Sequence, residues 1–107
     1  MNAKVSLEAL RNAVGSMEKQ TAMERLQTYA AIKVIAQQLE EMAKDDENLT
    51  SYMTMNFFTL IGHCASIAGL NESDGHPVSQ HVAWAYREID ALEGPHGFGF
   101  YGQPMPV

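Results

Sequence analysis

Apolar residues recur along most of the chain at intervals of three and four, the spacing that places side chains on one face of an α-helix. The first such set is Leu7, Leu10, Val14 and Met17. The last set is Val78, Val82, Ala85, Ile89 and Leu92. We therefore predict an all-α fold, a small bundle of about four helices at roughly 6–18, 21–44, 49–70 and 77–93, forming a single helical domain over residues 1–95.

Residues that typically start and stop helices support these boundaries. Ser6 is a candidate N-cap for the first helix, and Thr21 with Glu24 has the spacing of a capping box for the second. Pro77 suits the first position of the last helix, and the Gly-Pro pair at 94–95 suits its end.

The second predicted helix carries apolar residues on two sides. One side has Met23, Leu26, Ala30 and Val34. The other has Ile32, Ile35, Leu39 and Met42. A helix that is apolar on two sides must be covered on two sides, and a chain of 107 residues has little else with which to cover the second. We therefore expect a homodimer.

The third predicted helix lies in a stretch, residues 48–71, that has no fixed charge. Its main apolar stripe is Met53, Phe57, Leu60, Ile61, Cys64, Ile67 and Ala68. A second apolar face is formed by Met55, Phe58, Gly62, Ala65 and Gly69. A membrane span is a poor alternative, because acidic residues flank the stretch on both sides. A strand at 52–57 is also a poor alternative, because the alternation of polar and apolar residues ends at the Phe-Phe pair of 57–58.

The chain ends in GPHGFGFYGQPMPV, with four glycines, three prolines, three aromatic residues and no charge. We predict an extended aromatic tail over residues 96–107, since proline disfavours helix and favours an extended path. Three interpretations stay open: a strap that covers the domain's own helices, an arm that binds another surface, and a disordered end. The rings concerned are Phe98, Phe100 and Tyr101.

Charge and cysteine content narrow the classes of function. Residues 1–44 carry six Lys/Arg and five Asp/Glu, whereas residues 45–107 carry one Arg and eight Asp/Glu. No basic patch could neutralise several phosphates, so we expect no nucleic acid as partner. Two interpretations of the acidic half stay open: a surface for a basic partner and, more commonly in proteins, simple solvated surface. A single cysteine and a first segment without a long apolar run favour the cytoplasm.

Known catalytic motifs are absent from the sequence. His63 and Cys64 are neighbours on a helix and point in different directions, so we expect a core cysteine beside a histidine that hydrogen-bonds another helix. His76 and His81 are five residues apart, which is the wrong spacing for a metal site on one helical face. We therefore assign no catalytic, cofactor-binding or metal-binding residue.

The second apolar sides of two helices and the aromatic tail make more apolar surface than four short helices can cover, which favours a binding function. We expect a non-enzymatic regulator that binds another protein, such as an inhibitor or anti-activator of a transcription regulator. The candidate residues for a partner or dimer interface are Ile32, Ile35, Leu39, Met42, Met55, Phe58, Trp84, Phe98, Phe100 and Tyr101. The alternatives are a carrier of a small ligand, haem or metal with a pocket near His63 and Cys64, and a small enzyme that uses His76 or His81.

Overall fold

The computed structural model of the chain describes residues 2–100. Over these residues the protein is all-helical and has no strand. The four helices are α1 (Ala3–Met17), α2 (Ala22–Asp45), α3 (Ser51–Ile67) and α4 (Val78–Glu93). The prediction of a four-helix, all-α fold is therefore confirmed, and the strand considered at 52–57 is wrong because those residues belong to α3.

The observed starts of the helices agree only in part with the starts predicted from the sequence. The capping box of α2 is present, with Thr21 and Glu24 each accepting a hydrogen bond from the other's backbone N–H. The start of α1 lies earlier than expected: Asn2 is the N-cap, its side chain accepts from the backbone N–H of Val5, and Ser6 is buried inside the helix. Pro77 is the N-cap residue of α4 and not its first helical residue.

The helix α3 ends at Ile67, three residues before the predicted end at 70. Gly69 has a φ of 77°, in the left-handed region that glycine adopts without strain. The backbone N–H of Leu70 then donates to the carbonyl of Ala65, which closes the end of the helix in the manner of a Schellman motif.

The helices pack so that each one contacts its neighbours in sequence, and α1 also contacts α4. The most extensive packing is between α3 and α4. The stripes predicted for α1, α3 and α4 lie in the core, and α2 adds Ile32, Ala36, Leu39 and Ala43. The bundle is therefore closed around one core, and its α2/α3 side is less extensively packed than its α3/α4 side.

Residues 94–100 curl back over the end of α4. The backbone N–H groups of Phe98 and Phe100 donate to the carbonyls of Leu92 and Glu93, and the side chain of Phe98 packs against the core. A Cβ at Gly97 would lie 2.6 Å from the carbonyl carbon of Leu92, so this close approach requires glycine. The part of the predicted tail at 96–100 therefore makes turns and is not extended, while residues 101–107 lie outside the described residues.

Candidate functional site

Several exposed apolar side chains lie on the neighbouring helices α2 and α3. Phe58 and Met55 of α3 are 77% and 62% exposed, and Val34 of α2 is 53% exposed. We call these three residues the α2/α3 face. Met23 and Leu26 continue the exposed side of Val34 along α2. Positions 23, 26, 30 and 34 are separated by three, four and four residues, so they lie on one side of the helix. The stripe that contains Val34 is thus the side of α2 that the domain leaves uncovered.

A groove of about 330 Å³ runs between α2 and α3 beside Phe58. Its lining is Lys33, Ala36, Gln37, Glu40, Thr54, Phe57, Phe58 and Ile61. The lining combines the aromatic and aliphatic groups of Phe57, Phe58 and Ile61 on α3 with the charged side chains of Lys33 and Glu40 on α2. A groove of this kind between two helices suits an inserted apolar side chain.

Acidic residues extend this edge of α2 towards its C-terminal end. Glu40, Glu41 and Asp45 line an adjoining depression together with Val34 and Gln37. Glu41 and Asp45 are exposed. The surface next to the apolar groove therefore carries several carboxylates, which attract basic groups.

The structure distributes the interface residues predicted from the sequence over three environments. Ile32 and Leu39 are fully buried in the core, so they cannot contact a partner unless the domain opens. The half-buried residues are Ile35, Met42, Trp84 and Phe98. The exposed residues are Met55, Phe58 and Phe100. Tyr101 lies outside the described residues.

Phe100 lies apart from the α2/α3 face. Its ring stacks near that of Phe98, with 6.1 Å between the ring centroids, and it lines a small depression with Lys4 and Arg11 of α1. The exposed predicted residues are therefore not one surface, and among them Phe58 alone lines the α2/α3 groove.

Three polar side chains form a hydrogen-bonded chain across the α3/α4 interface. The Nδ1 atoms of His63 on α3 and His81 on α4 are 3.2 Å apart. On the other side of the His81 ring, Nε2 lies 3.1 Å from Oδ2 of Asp74 in the α3–α4 connection. Asp74 is itself held by the backbone N–H of His76, which donates to Oδ1 over 2.9 Å. The expectation that His63 hydrogen-bonds another helix is confirmed.

This chain fixes where the protons lie when both imidazoles are neutral. A carboxylate can only accept, so His81 donates from Nε2 and its Nδ1 has a lone pair. His63 must then donate from Nδ1, which leaves its Nε2 as an acceptor. The backbone N–H of His76, followed by the contact with His81, holds the pKa of Asp74 below its ordinary value, so Asp74 is a carboxylate at neutral pH.

Trp84 of α4 lies among these imidazole rings. Its centroid is 5.3 Å from that of His63, 5.4 Å from that of His81 and 4.8 Å from that of His76. Its place off the apolar stripe of α4 thus has a structural reason, because Trp84 packs against the histidine cluster and not into the main core.

A polar pocket of about 310 Å³ opens beside this cluster, between α3 and α4. Its lining is Tyr52, Asn56, His63, Trp84, Arg87, Glu88 and Ala91. We call it the α3/α4 pocket. Asn56 is only 7% exposed, and its Nδ2 has no hydrogen-bond partner among residues 2–100. Burial raises the pKa of Glu88, while the charge of Arg87 acts in the opposite direction.

The sequence analysis considered a pocket between helices near His63 and Cys64; the α3/α4 pocket is lined by His63 but not by Cys64, and its other lining residues were not predicted. Asn56 and His63 belong to a polar strip that separates the two apolar faces of α3, made of Asn56, Thr59, His63 and Ser66. Nothing in the sequence indicated that α4 packs beside that strip. The one weak indication of a pocket in the sequence was the position of Trp84, about 100° around the helix from the core stripe of α4. Glu88 lies one turn further along the same face of α4 as Trp84.

We expect the histidine pair to make folding sensitive to mild acid. Burial, and then the nearby His81, lower the pKa of His63 below its ordinary value of 6.5. A histidine whose pKa is lower in the folded state contributes stability that is present above pH 6.5 and is lost as the pH falls through the folded-state pKa. Asp74 opposes this loss, and Arg87 and Glu88 also face the ring through the shared pocket.

The predicted loss of unfolding free energy between pH 7.5 and 5.5 is less than about 1 kcal/mol, because the half-exposed ring is screened by water. It is measured by urea denaturation at several pH values. His63→Gln should remove most of the pH dependence, whereas His96→Gln, outside the hydrogen-bonded chain, should preserve it. Equal pH profiles for the wild type and His63→Gln would contradict the assignment.

Cys64 shows no sign of reactivity in its surroundings. It is fully buried, and burial raises the pKa of its thiol to about 12. Within the described part of the chain, no group of three or more His, Cys, Asp or Glu side chains is arranged to hold a metal ion. His76 and Asp74 contact the same cluster as His81, but Asp74 and His63 lie on opposite sides of the His81 ring.

None of the helices between residues 2 and 100 is both long and apolar enough to cross a lipid bilayer. Comparison with known proteins adds no family: no protein-family model, no curated protein and no solved structure matches this chain.

Proposed function

We propose that the protein is a non-enzymatic regulator that binds another protein through the α2/α3 face. The observation that carries the proposal is Phe58, an aromatic side chain that is 77% exposed beside an apolar groove. Exposing such a ring to water is unfavourable, and burying it in an interface recovers that free energy. Aromatic side chains that fill grooves are frequent hot spots of protein interfaces.

The proposed occupant is an amphipathic helix that carries basic residues along one edge. Its apolar side chains, spaced by three and four residues, fit the groove between α2 and α3. Its Lys or Arg residues lie opposite Glu40, Glu41 and Asp45, the acidic edge of α2. This pairing of charges also sets the orientation in which the helix docks.

A second copy of the chain, as in the expected homodimer, is the competing occupant. In a two-fold symmetric dimer formed by this face, the same surface of both copies meets. A two-fold axis close to Glu40, Glu41 and Asp45 would bring the two acidic edges together, and like charges at an interface disfavour association. A basic partner avoids this repulsion. The proposal also includes a cytoplasmic location, supported by the single cysteine, Cys64, which is buried and free.

The proposal is tested with a displayed library of random helical peptides selected on the immobilised protein. We expect enriched sequences with apolar residues at i, i+3, i+4 and i+7 and with Lys or Arg on one flank. Selection on a Glu40→Gln, Glu41→Gln, Asp45→Asn variant should lose the basic preference but keep the apolar one. Enrichment of acidic peptides, or no enrichment above an unrelated helical protein, would contradict the proposal.

A further inference from the structure

The α3/α4 pocket is separate from the α2/α3 face and has its own chemistry. Several hydrogen-bond acceptors line it, among them the Glu88 carboxylate, which is partly buried, and His63, whose Nδ1 is already engaged with His81. Asn56 and Tyr52 each add an oxygen acceptor and a donor, and the Asn56 donor, Nδ2, has no partner among residues 2–100. Because the Asp74–His81–His63 chain makes His63 donate from Nδ1, the nitrogen left for a ligand is Nε2 as an acceptor. Asp74 and His81 act through His63 and are positioning residues for that atom.

Aromatic rings in the pocket would also attract a positively charged ligand. Trp84 and Tyr52 line the pocket, and the faces of such rings carry negative electrostatic potential that attracts cations. The wider surroundings act in the same direction, because residues 45–107 carry eight acidic residues and one Arg. A carboxylate, a neutral imidazole acceptor and two aromatic rings together form a site for a positive N–H group.

We propose that the α3/α4 pocket binds a small organic ammonium ion, which donates hydrogen bonds to Glu88 and to Nε2 of His63 beside the rings of Trp84 and Tyr52. Arg87 is the one cation that lines the pocket. It makes no ion pair within residues 2–100, and its exposed side chain competes with the ligand for Glu88. The pocket is thus lined by aromatic rings and by a carboxylate, Glu88, whose negative charge Arg87 only partly compensates.

The test uses fluorescence of Trp84, the only tryptophan of the chain, while the purified full-length protein is titrated with propylammonium chloride. Sodium chloride at equal ionic strength and 1-propanol are the controls for salt and for the apolar part of the probe. We expect a saturable change with a dissociation constant of about a millimolar, the range open to so small a ligand. Neither control should give a saturable change.

Three variants and one control variant separate this site from its alternatives. Glu88→Gln and His63→Ala should each weaken binding about tenfold, because each removes an acceptor for a charged donor. Arg87→Gln should strengthen binding several-fold by removing the competing charge. Glu18→Gln, an exposed acid on another part of the protein, should change nothing. Far-ultraviolet circular dichroism of every variant checks that the fold is retained.

The direction of the pH dependence is an independent readout. Protonation of His63 removes its acceptor and adds a positive charge next to the ligand, so binding should weaken from pH 7.5 to 5.5. Strengthening in acid, weaker binding in Arg87→Gln, or a preference for sodium acetate over propylammonium would identify an anion site and overturn the proposal. A linear fluorescence change up to about 100 mM propylammonium would overturn it as well, since a millimolar site saturates in that range.

Discussion

Replacing Phe58 with Asp weakens binding of a basic amphipathic helix at least about thirtyfold, because hot-spot residues contribute about 2 kcal/mol or more to an interface. The change removes the most exposed large apolar side chain of residues 2–100 and places a charge where an apolar side chain would dock. Isothermal titration calorimetry with a peptide selected on the wild type measures the loss.

Stability separates this effect from unfolding. The side chain of Phe58 is mostly in water, so Phe58→Asp should change the unfolding free energy by no more than about 0.5 kcal/mol. Val5→Asp is the matched control, since Val5 is an exposed apolar residue of α1, outside the α2/α3 face, and should leave the affinity unchanged. Equal affinities for the two variants would show that the peptide binds elsewhere.

Arg11→Met should have the largest effect on stability of any single surface change. Arg11 of α1 makes ion pairs with Asp90 and Glu93 of α4, with N–O distances of 2.6 Å and 2.7 Å. Burial disfavours its charge, but the hydrogen bonds to the two carboxylates outweigh that and raise the pKa of Arg11. Removing the guanidinium leaves Glu93, whose side chain is 6% exposed, without its charged partner.

Breaking a fully buried ion pair on one side costs about 3 to 5 kcal/mol. Arg11 is about one-third exposed, so we expect about 2 to 3 kcal/mol here, which lowers the melting temperature by about 10 °C or more in a domain of this size. Differential scanning calorimetry gives the value. Adding Glu93→Gln to Arg11→Met should recover most of the loss, because no uncompensated buried charge remains and the carboxylate of Asp90 is mostly in water. Lys4→Met should change little. A fall below about 3 °C for Arg11→Met would contradict the role assigned to this pair.

The periodic pattern predicted the fold where one side of a helix is apolar and the other polar. For α1 the predicted stripe at Leu7, Leu10, Val14 and Met17 is fully buried. For α2 the same reasoning found two apolar sides and assigned the side of Ile32, Ile35, Leu39 and Met42 to a partner or dimer interface. The structure buries Ile32 and Leu39 and leaves Val34 exposed. The order of helices around the core decides this choice, and periodicity within one helix does not contain that information.

The candidate sites were harder to predict because they depend on contacts between distant residues. The hydrogen bond between His63 and His81 joins side chains eighteen positions apart on different helices. Asn56 is buried although it lies on a polar strip, since α4 packs beside that strip. By contrast, the exposure of Phe58 followed from its place on a second face of α3 that the domain is too small to cover.

The most direct test of the central claim is site-specific cross-linking in the source cells, with a photo-reactive phenylalanine analogue at position 58 and, as control, at position 5. We predict that position 58, and not position 5, is cross-linked to a different protein. The cross-linked segment of that protein should have the sequence pattern of a basic amphipathic helix. Cross-links from position 58 to a second copy of this chain, or equal products from both positions, would contradict the assignment of the α2/α3 face to a partner protein.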